Sequence, residues 1–255
     1  MYRIILLTTL AALAVATAEA HGQIGGPAAP QSAAAPSPAT PSAAEPMPAP
    51  DAARLWRGTI TYRVSVGADT TGADTAVWSV RGAELSAVDR MHVMRTVAVV
   101  ESRMALPSFS PIASTETRAG AVGASESRIA YVQGRARGTL AMGGRETAVD
   151  DEAPAGTYDF AALPALIAAL PLRSGAVWTV PAYAPYVRRV KAYRVEVAAV
   201  ETVGTPMGPV RAYRVAVTGG MAPMLFWFSE AEPRWEVRGE VPAMGVTIEP
   251  RSRTP

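Results

Sequence analysis

Residues 192–197 read Ala-Tyr-Arg-Val-Glu-Val, and residues 212–217 read Ala-Tyr-Arg-Val-Ala-Val. In both stretches tyrosine and valine alternate with charged or small residues, so an extended chain would point all of its large apolar side chains to one side. A third stretch, Ile-Thr-Tyr-Arg-Val-Ser-Val at residues 60–66, alternates in the same way. The pattern predicts β-strands with one buried face, and Gly-Thr-Pro-Met-Gly at residues 204–208 predicts a hairpin turn between the first two.

Short segments of the same kind recur along the chain, separated by Gly, Pro, Asp or Ser. Such a series is typical of antiparallel sheets rather than of alternating strands and helices. We therefore predict an all-β, mainly antiparallel fold: a curved sheet, half-barrel or sandwich in a single domain over residues 52–250, followed by a disordered tail at 251–255. The further predicted strands are 73–81, 91–103, 112–118, 127–132, 136–142, 176–180, 225–229, 235–241 and 246–249.

One segment, residues 159–170, has a helical pattern instead. Asp159 is a good N-cap, Pro171 ends the segment, and Pro164 suits a helix that begins near Leu163. Five apolar side chains fall on one face, which predicts that this face packs on the sheet. They are Phe160, Leu163, Leu166, Ile167 and Leu170.

The N-terminus has the features of a secretory signal peptide. A basic start at residues 1–3 is followed by an apolar run to Ala16, and Ala18-Glu19-Ala20 places small residues at the positions that signal peptidase recognises. We predict that residues 1–20 are a signal peptide cleaved after Ala20 and that the protein is periplasmic or secreted. An uncleaved N-terminal anchor is the alternative, although the run is shorter than the roughly 20 residues of a spanning helix.

Residues 21–51 contain eight prolines and nine alanines and little that could form a core. Proline fixes φ and removes backbone donors, so we predict a disordered, extended Pro/Ala-rich linker. This linker is either a tether that gives the domain reach or a leader without a role of its own. The composition favours neither interpretation.

The composition excludes several kinds of site. The chain has no cysteine, hence no thiolate nucleophile, no thiolate-bound zinc or iron–sulfur centre and no disulfide. Its formal net charge is only +2, and its arginines are scattered along the strands, whereas nucleic-acid binding requires a dense basic surface. We expect no cofactor, no bound metal and no nucleic-acid partner.

Candidate catalytic groups are few. His21 would begin the processed chain, where a histidine can bind copper, but the linker separates it from the domain. His92 lies between apolar residues in a predicted strand, and no Gly-x-Ser-x-Gly motif accompanies it. The acidic cluster at residues 150–152 predicts a loop before Pro154, because adjacent carboxylates on a strand would point to opposite faces. A hydrolase is therefore a disfavoured alternative, third after the two non-enzymatic functions given below.

The stretch Leu-Phe-Trp-Phe at residues 225–228 is apolar on both faces of a strand. A central strand covered on both sides has this composition, and so has a strand that lines an apolar cavity. Other aromatic residues, Trp56 and Trp78 among them, could contribute to such a cavity. We predict a site for an apolar ligand or a lipid acyl chain that is formed by Phe226, Trp227, Phe228, Trp178 and Trp235.

A set of short motifs resembles the domain-of-unknown-function 3108 family of exported, β-rich bacterial proteins. The motifs are Pro107-x-x-x-Pro111, Tyr158-Asp159, Leu170-Pro171-Leu172-x-x-Gly175, Glu201-x-Val203-x-Thr205-Pro206-x-Gly208 and Trp227-Phe228-Ser229 leading to Val237-Arg238. The resemblance implies a periplasmic antiparallel β-fold and no catalytic residues. The expected shape is also similar to the periplasmic lipoprotein-carrier half-barrels, in which a curved sheet and a short helix enclose an apolar cavity.

These observations predict an exported, non-enzymatic cell-envelope protein that binds an apolar ligand or lipid. The alternative is a scaffold domain that meets an envelope protein at a sheet edge, with the proline-rich linker as its tether.

Overall fold

A computed structural model describes residues 44–121 and 123–255. Its strands are β1 (Gly58–Val66), β2 (Asp69–Arg81), β3 (Glu84–Val93), β4 (Thr96–Ala105), β5 (Ser110–Ala119), β6 (Ser125–Val132), β7 (Arg135–Met142), β8 (Arg145–Glu152), β9 (Tyr158–Asp159), β10 (Val177–Ala184), β11 (Arg189–Thr205), β12 (Gly208–Thr218), β13 (Met224–Ser229), β14 (Glu236–Val241) and β15 (Val246–Thr254). Together they form one sheet in the order β8-β7-β6-β5-β4-β3-β2-β1-β15-β14-β13-β12-β11-β10-β9. All neighbours are antiparallel except β9 and β10, so the predicted all-β class is confirmed.

Two meanders, β1–β8 and β10–β15, are joined where β1 pairs with β15. The three Tyr-Arg-Val stretches lie in β1, β11 and β12, and their central valines Val64, Val195 and Val215 are fully buried. The predicted hairpin turn is present between β11 and β12, where Thr205 lies opposite Gly208. Alternation of apolar and polar residues therefore identified the buried face of these strands correctly.

Two predictions in the first meander are wrong. Residues 91–103 form the end of β3 and most of β4 rather than one strand, because the chain turns at Met94 and Arg95. Met94 adopts a φ of +54° although neither glycine nor proline marks the turn. Residues 150–152 belong to β8 and not to a loop. Asp150 accepts from Arg135 and Arg137 of β7, with Nε–Oδ1 distances of 2.5 and 3.1 Å, which offsets the acidic charge across the strands.

The tail predicted at residues 251–255 is also wrong. Residues 251–254 complete β15, and Arg253 and Thr254 lie opposite Ile60 and Thr59 of β1. The composition of this segment is polar, but its backbone N–H and C=O groups form hydrogen bonds with β1.

The predicted linker is described only from residue 44 onward, and its described part lies against the domain. The Glu45 N–H donates to the Val177 carbonyl (2.8 Å), and the Asp51 N–H donates to the Ala169 carbonyl (2.9 Å). Disorder is thus a wrong prediction for residues 44–51. The predicted signal peptide, His21 and the remainder of the linker lie outside the described residues.

The predicted helix is a 3₁₀ turn (Phe160–Ala162) followed by the α-helix α1 (Leu163–Ala169). Asp159 caps the 3₁₀ turn, because its Oδ1 accepts from the Ala161 N–H at 3.3 Å. α1 begins at Leu163 with Pro164 in its first turn, as predicted. Among the described residues, no helix is long and apolar enough to cross a membrane.

The packing of α1 differs from the prediction that one face contacts the sheet. Every residue from Phe160 to Leu170 is buried, the alanines included. Side chains from both meanders belong to the same apolar core as this segment, and the Phe160 ring lies 5.1 Å from the Tyr193 ring of β11. A helix that is apolar all round must be covered on all sides. The sheet therefore curls around the helix, which fills its interior.

Side chains close the curled sheet where β8 approaches β10 and β11. Val149 of β8 and Tyr183 of β10 belong to a second, small apolar cluster. The Tyr183 hydroxyl donates to Asp151 Oδ2 (2.7 Å), and Arg188 pairs with Asp151 (Nη2–Oδ1 2.8 Å). Polar and apolar side-chain contacts, rather than a backbone ladder, therefore hold these edges together.

Two buried carboxyl groups lie close to this closure. Asp159 accepts from the Ser102 hydroxyl (2.6 Å) and from Tyr131 (3.2 Å), whose ring lies 6.0 Å from that of Tyr183. Burial raises the pKa of Asp159 to about 6. Glu116 pairs with Arg118 (3.0 Å), yet burial raises the pKa of Glu116 to about 7.

These raised pKa values predict that stability falls as pH rises. Asp159 and Glu116 bind a proton more tightly in the folded chain, so their contribution is complete below about pH 4 and is lost as the pH rises to about 7. We expect the free energy of unfolding in urea to fall by roughly 1–3 kcal/mol between about pH 5 and pH 8.

The variant Glu116→Gln should flatten this pH dependence. Glu230→Gln is the control, since Glu230 is paired with Arg211 at the surface and that hydrogen bond lowers its pKa, which places its titration below the window. A pH slope that is the same in Glu116→Gln and in the unmodified chain would contradict the assignment.

Candidate functional site

The structure places all five predicted ligand residues in or at the edge of the core. Phe226, Trp227, Phe228, Trp178 and Trp235 are each at most 6% exposed. Phe226 and Phe228 stack on the same face of β13, with ring centroids 6.0 Å apart. Trp227 points to the other face, where its Nε1–H donates to Glu201 (2.5 Å) and the Arg238 guanidinium lies 5.5 Å from its ring. β13 is therefore covered on both faces, as one of the two sequence interpretations predicts.

A small cavity lies between α1 and the sheet. This cavity has a volume of about 10 Å³ and is lined by Trp78, Ala87, Asp89, Ala161, Pro164, Ala165 and Glu236. Its size matches a single water molecule. An acyl chain at the five predicted residues would have to displace packed side chains.

Trp235 differs from the other four residues because it also borders an open groove. This groove, which we call the tryptophan groove, has a volume of about 500 Å³. It lies where β1, β12 and β14 begin and where β13 and β15 end. Its walls are formed by Trp56, Pro209, Val210, Arg211, Ser229, Glu230, Ala231, Glu232, Pro233, Trp235 and Arg253.

Arg253 lies between the two tryptophans of the groove. Its guanidinium carbon is 4.3 Å from the ring centroid of Trp56 and 4.7 Å from that of Trp235. Both distances are well inside the range of a cation–π contact. The three side chains thus form a stacked wall, in which Trp56 and Arg253 carry most of the accessible surface because Trp235 is only 4% exposed.

The loop between β13 and β14 is held by its own polar groups. The Ser229 hydroxyl donates to the Ala231 carbonyl (2.9 Å) and accepts from the Trp235 N–H (3.2 Å). Glu232 pairs with Arg54 (2.7 Å), and Glu230 pairs with Arg211 (2.7 Å). Because these charges are paired within the chain, the remaining surface of the groove consists chiefly of tryptophan, proline and valine side chains.

Arg234 anchors the same loop to the interior helix. Its side chain is buried, and Nη1 donates to the carbonyls of Leu170 (2.8 Å) and Ala168 (3.4 Å) at the C-terminal end of α1. Nη2 pairs with Glu232 at 2.7 Å. Burial lowers the pKa of Arg234, but an arginine guanidinium stays charged in proteins. Arg234 therefore ties the loop that forms part of the groove wall to the end of the helix.

The groups considered for catalysis are not brought together. His92 is exposed on β3, opposite Ala73 and Val97, whereas residues 150–152 lie on β8, five strands away. Within the described residues, no group of three or more His, Asp or Glu side chains could hold a metal ion.

Sequence reasoning found the groove only in part. Trp235 was among the predicted ligand residues, and Trp56 was among the aromatics that could add to a cavity. Arg253 was missed because it falls in the predicted tail, and no local pattern indicates that it stacks between two tryptophans. Only the pairing of β15 with β1 places it there.

Residues 58–245 match the family model described as protein of unknown function (DUF3108). The chain belongs to the DUF3108 family. The resemblance carried by the sequence motifs is thus confirmed, and the matched DUF3108 region includes Trp235 but neither Trp56 nor Arg253. No curated protein matches the chain.

The fold of this DUF3108 protein is similar to a solved structure, the β-barrel-like protein of domain of unknown function DUF1849 from Brucella abortus. The TM-score is 0.51 with 11% sequence identity, over 78% of this chain and 98% of that chain. At this identity the likeness concerns the fold alone.

The double role of Arg234 predicts a large effect on stability. Arg234→Met would leave two buried carbonyls of the helix without their donor, and we expect a loss of about 2–4 kcal/mol in the free energy of unfolding. Urea unfolding followed by tryptophan fluorescence measures it. Arg211→Met removes an exposed ion pair and should cost much less. Equal losses in the two variants would contradict the capping role.

Proposed function

We propose that this chain is a non-enzymatic binding domain of the cell envelope, and that its tryptophan groove holds an extended segment of a partner protein. The observation that carries the proposal is the open groove of about 500 Å³ with Trp56, Arg253 and Trp235 stacked in its wall. Tryptophan and arginine are the residues most enriched at the energetic centres of protein interfaces.

The shape and lining of the groove favour an extended peptide with proline or apolar side chains. Flat aromatic walls bind segments in the polyproline conformation, which carry little conformational entropy into the complex. Pro209, Pro233 and Val210 add apolar surface, and the internally paired charges form a polar border. This arrangement supports the scaffold alternative of the sequence analysis. Binding of an acyl chain is less well supported, because α1 fills the interior.

Export of the protein is part of the proposal. It rests on the basic start, apolar run and small residues of positions 1–20, which have the pattern of a secretory signal peptide. The proline-rich segment that follows would then separate the domain from its surroundings and give the groove reach.

Processing of the N-terminus is directly measurable. We expect intact-mass analysis of protein isolated from the periplasm or medium of the producing cell to show a chain that begins at His21. A chain that retains residues 1–20 and fractionates with the cytoplasm would contradict export. A chain that retains them and fractionates with the membrane would favour the uncleaved anchor.

Binding in the groove is testable with a synthetic Ala-Pro repeat peptide of about ten residues, a length of extended chain that spans a groove of this kind. We expect saturable binding by fluorescence anisotropy, weakened at least tenfold by Val210→Arg, which fills the groove with a charged side chain. Met207→Arg is the matched control on the same hairpin, outside the groove, and should bind like the unmodified chain.

Three outcomes would contradict the peptide proposal. The first is the absence of any peptide binding, and the second is binding that Val210→Arg and Met207→Arg leave equally unchanged. The third is a co-purified lipid in native mass spectrometry that is lost in Phe228→Ala, which would favour an apolar ligand in the interior instead.

A further inference from the structure

One end of the curled sheet carries most of the exposed large apolar side chains. Consecutive strands are antiparallel, so the turns after β3 and β7 lie at the same end as the turns after β10 and β12. The pairing of Val66 with Val246 shows that both meanders share this end, which we call the tip end. The tryptophan groove is at the opposite end.

Seven large apolar side chains are exposed in the described residues, and five of them lie at the tip end. Met94 is in the turn after β3, and Met142 ends β7. Val187 lies in the 3₁₀ turn after β10, and Met221 lies in the loop after β12. The fifth is Val97, next to Met94 at the start of β4. The exposed fractions of Met94, Met142 and Met221 are 58%, 55% and 64%.

Three of these tips also carry an exposed arginine next to the apolar residue. Arg95 follows Met94, Arg145 follows Met142 and two glycines, and Arg189 follows Val187 and Arg188. Within residues 44–121 and 123–255, none of Arg95, Arg145 and Arg189 has a carboxylate oxygen within 4.0 Å.

The carboxylates at the tip end are fewer than the basic groups. Asp69 and Glu146 are exposed there, and Glu126 is paired with Arg128. Arg188, in the turn after β10, is paired with Asp151, which lies near the other end of β8. Lys191, close to the start of β11, adds a further positive charge. The end of the sheet is therefore both apolar at its tips and net positive.

We propose that the tip end docks on the surface of an anionic phospholipid membrane. The methionine and valine side chains would enter the boundary between head groups and acyl chains, and the neighbouring arginines would contact the lipid phosphates. The tips belong to separate hairpins at one end of the sheet, so each would insert in the membrane by itself. A protein partner would instead require one contiguous apolar patch.

The membrane proposal does not depend on the function of the groove. The tryptophan groove lies at the far end of the strands, so membrane docking would leave it open to a partner. Failure of peptide binding and failure of membrane binding are distinguishable, because the residues that carry them do not overlap.

Sedimentation with vesicles tests the proposal. We expect the purified chain to bind vesicles of phosphatidylcholine and phosphatidylglycerol, and to bind less at high salt and to pure phosphatidylcholine. The double variant Met94→Asp and Met221→Asp should lose at least tenfold in binding, because it places charge where apolar side chains insert. Each of Arg95→Gln and Arg189→Gln should lose about fivefold.

Met207→Asp is the matched control, since it changes an exposed methionine in a turn at the opposite end. It should bind vesicles like the unmodified chain. All variants should have the same unfolding temperature as the unmodified chain. Absence of binding to the anionic vesicles, or equal binding by the tip variants and the unmodified chain, would overturn the proposal. The proposal would also be overturned if the unmodified chain did not bind vesicles and the tip variants lost binding to an envelope protein.

Discussion

The C-terminal carbonyls of a helix buried in an apolar interior must find donors inside the protein. Helix α1 is covered on every side by the curled sheet, so water cannot serve these groups. Arg234 donates to two of the carbonyls, and the Asp51 backbone donates to a third. This requirement fixes the loop before β14 against the end of the helix. It also brings Asp51, which precedes β1, and Arg234 of the second meander to the C-terminal end of α1.

The tryptophan groove follows from that arrangement. Trp235 is adjacent to Arg234, and the Trp56 N–H donates to the Arg234 carbonyl at 2.8 Å, so both aromatic walls are attached to the capping residue. Arg253 reaches them because β15 pairs with β1. A surface feature that could bind a partner is in this way built next to a buried, hydrogen-bonded residue, Arg234.

Local pattern predicted much of the fold for a definite physical reason. Alternation identified β1, β11 and β12, and the Asp159 cap and Pro164 located the start of the helix, because both signals depend on residues close in sequence. The prediction failed for strands that are stabilised by residues distant in sequence. The strand at 145–152 is stabilised across the sheet by Arg135 and Arg137, and a polar segment at 251–254 is a strand only because β1 is beside it.

The amino-acid order by itself determined that this chain forms antiparallel strands with one helix, belongs to the DUF3108 family and contains no thiolate chemistry. It also showed that the aromatic residues of β13 are covered on both faces or line a cavity. Only the tertiary structure decided between these, because whether aromatic surface is packed or open depends on what the curled sheet encloses. Here it encloses α1, so the space around β13 is filled, and the accessible aromatic surface lies instead beside the pairing of β1 with β15.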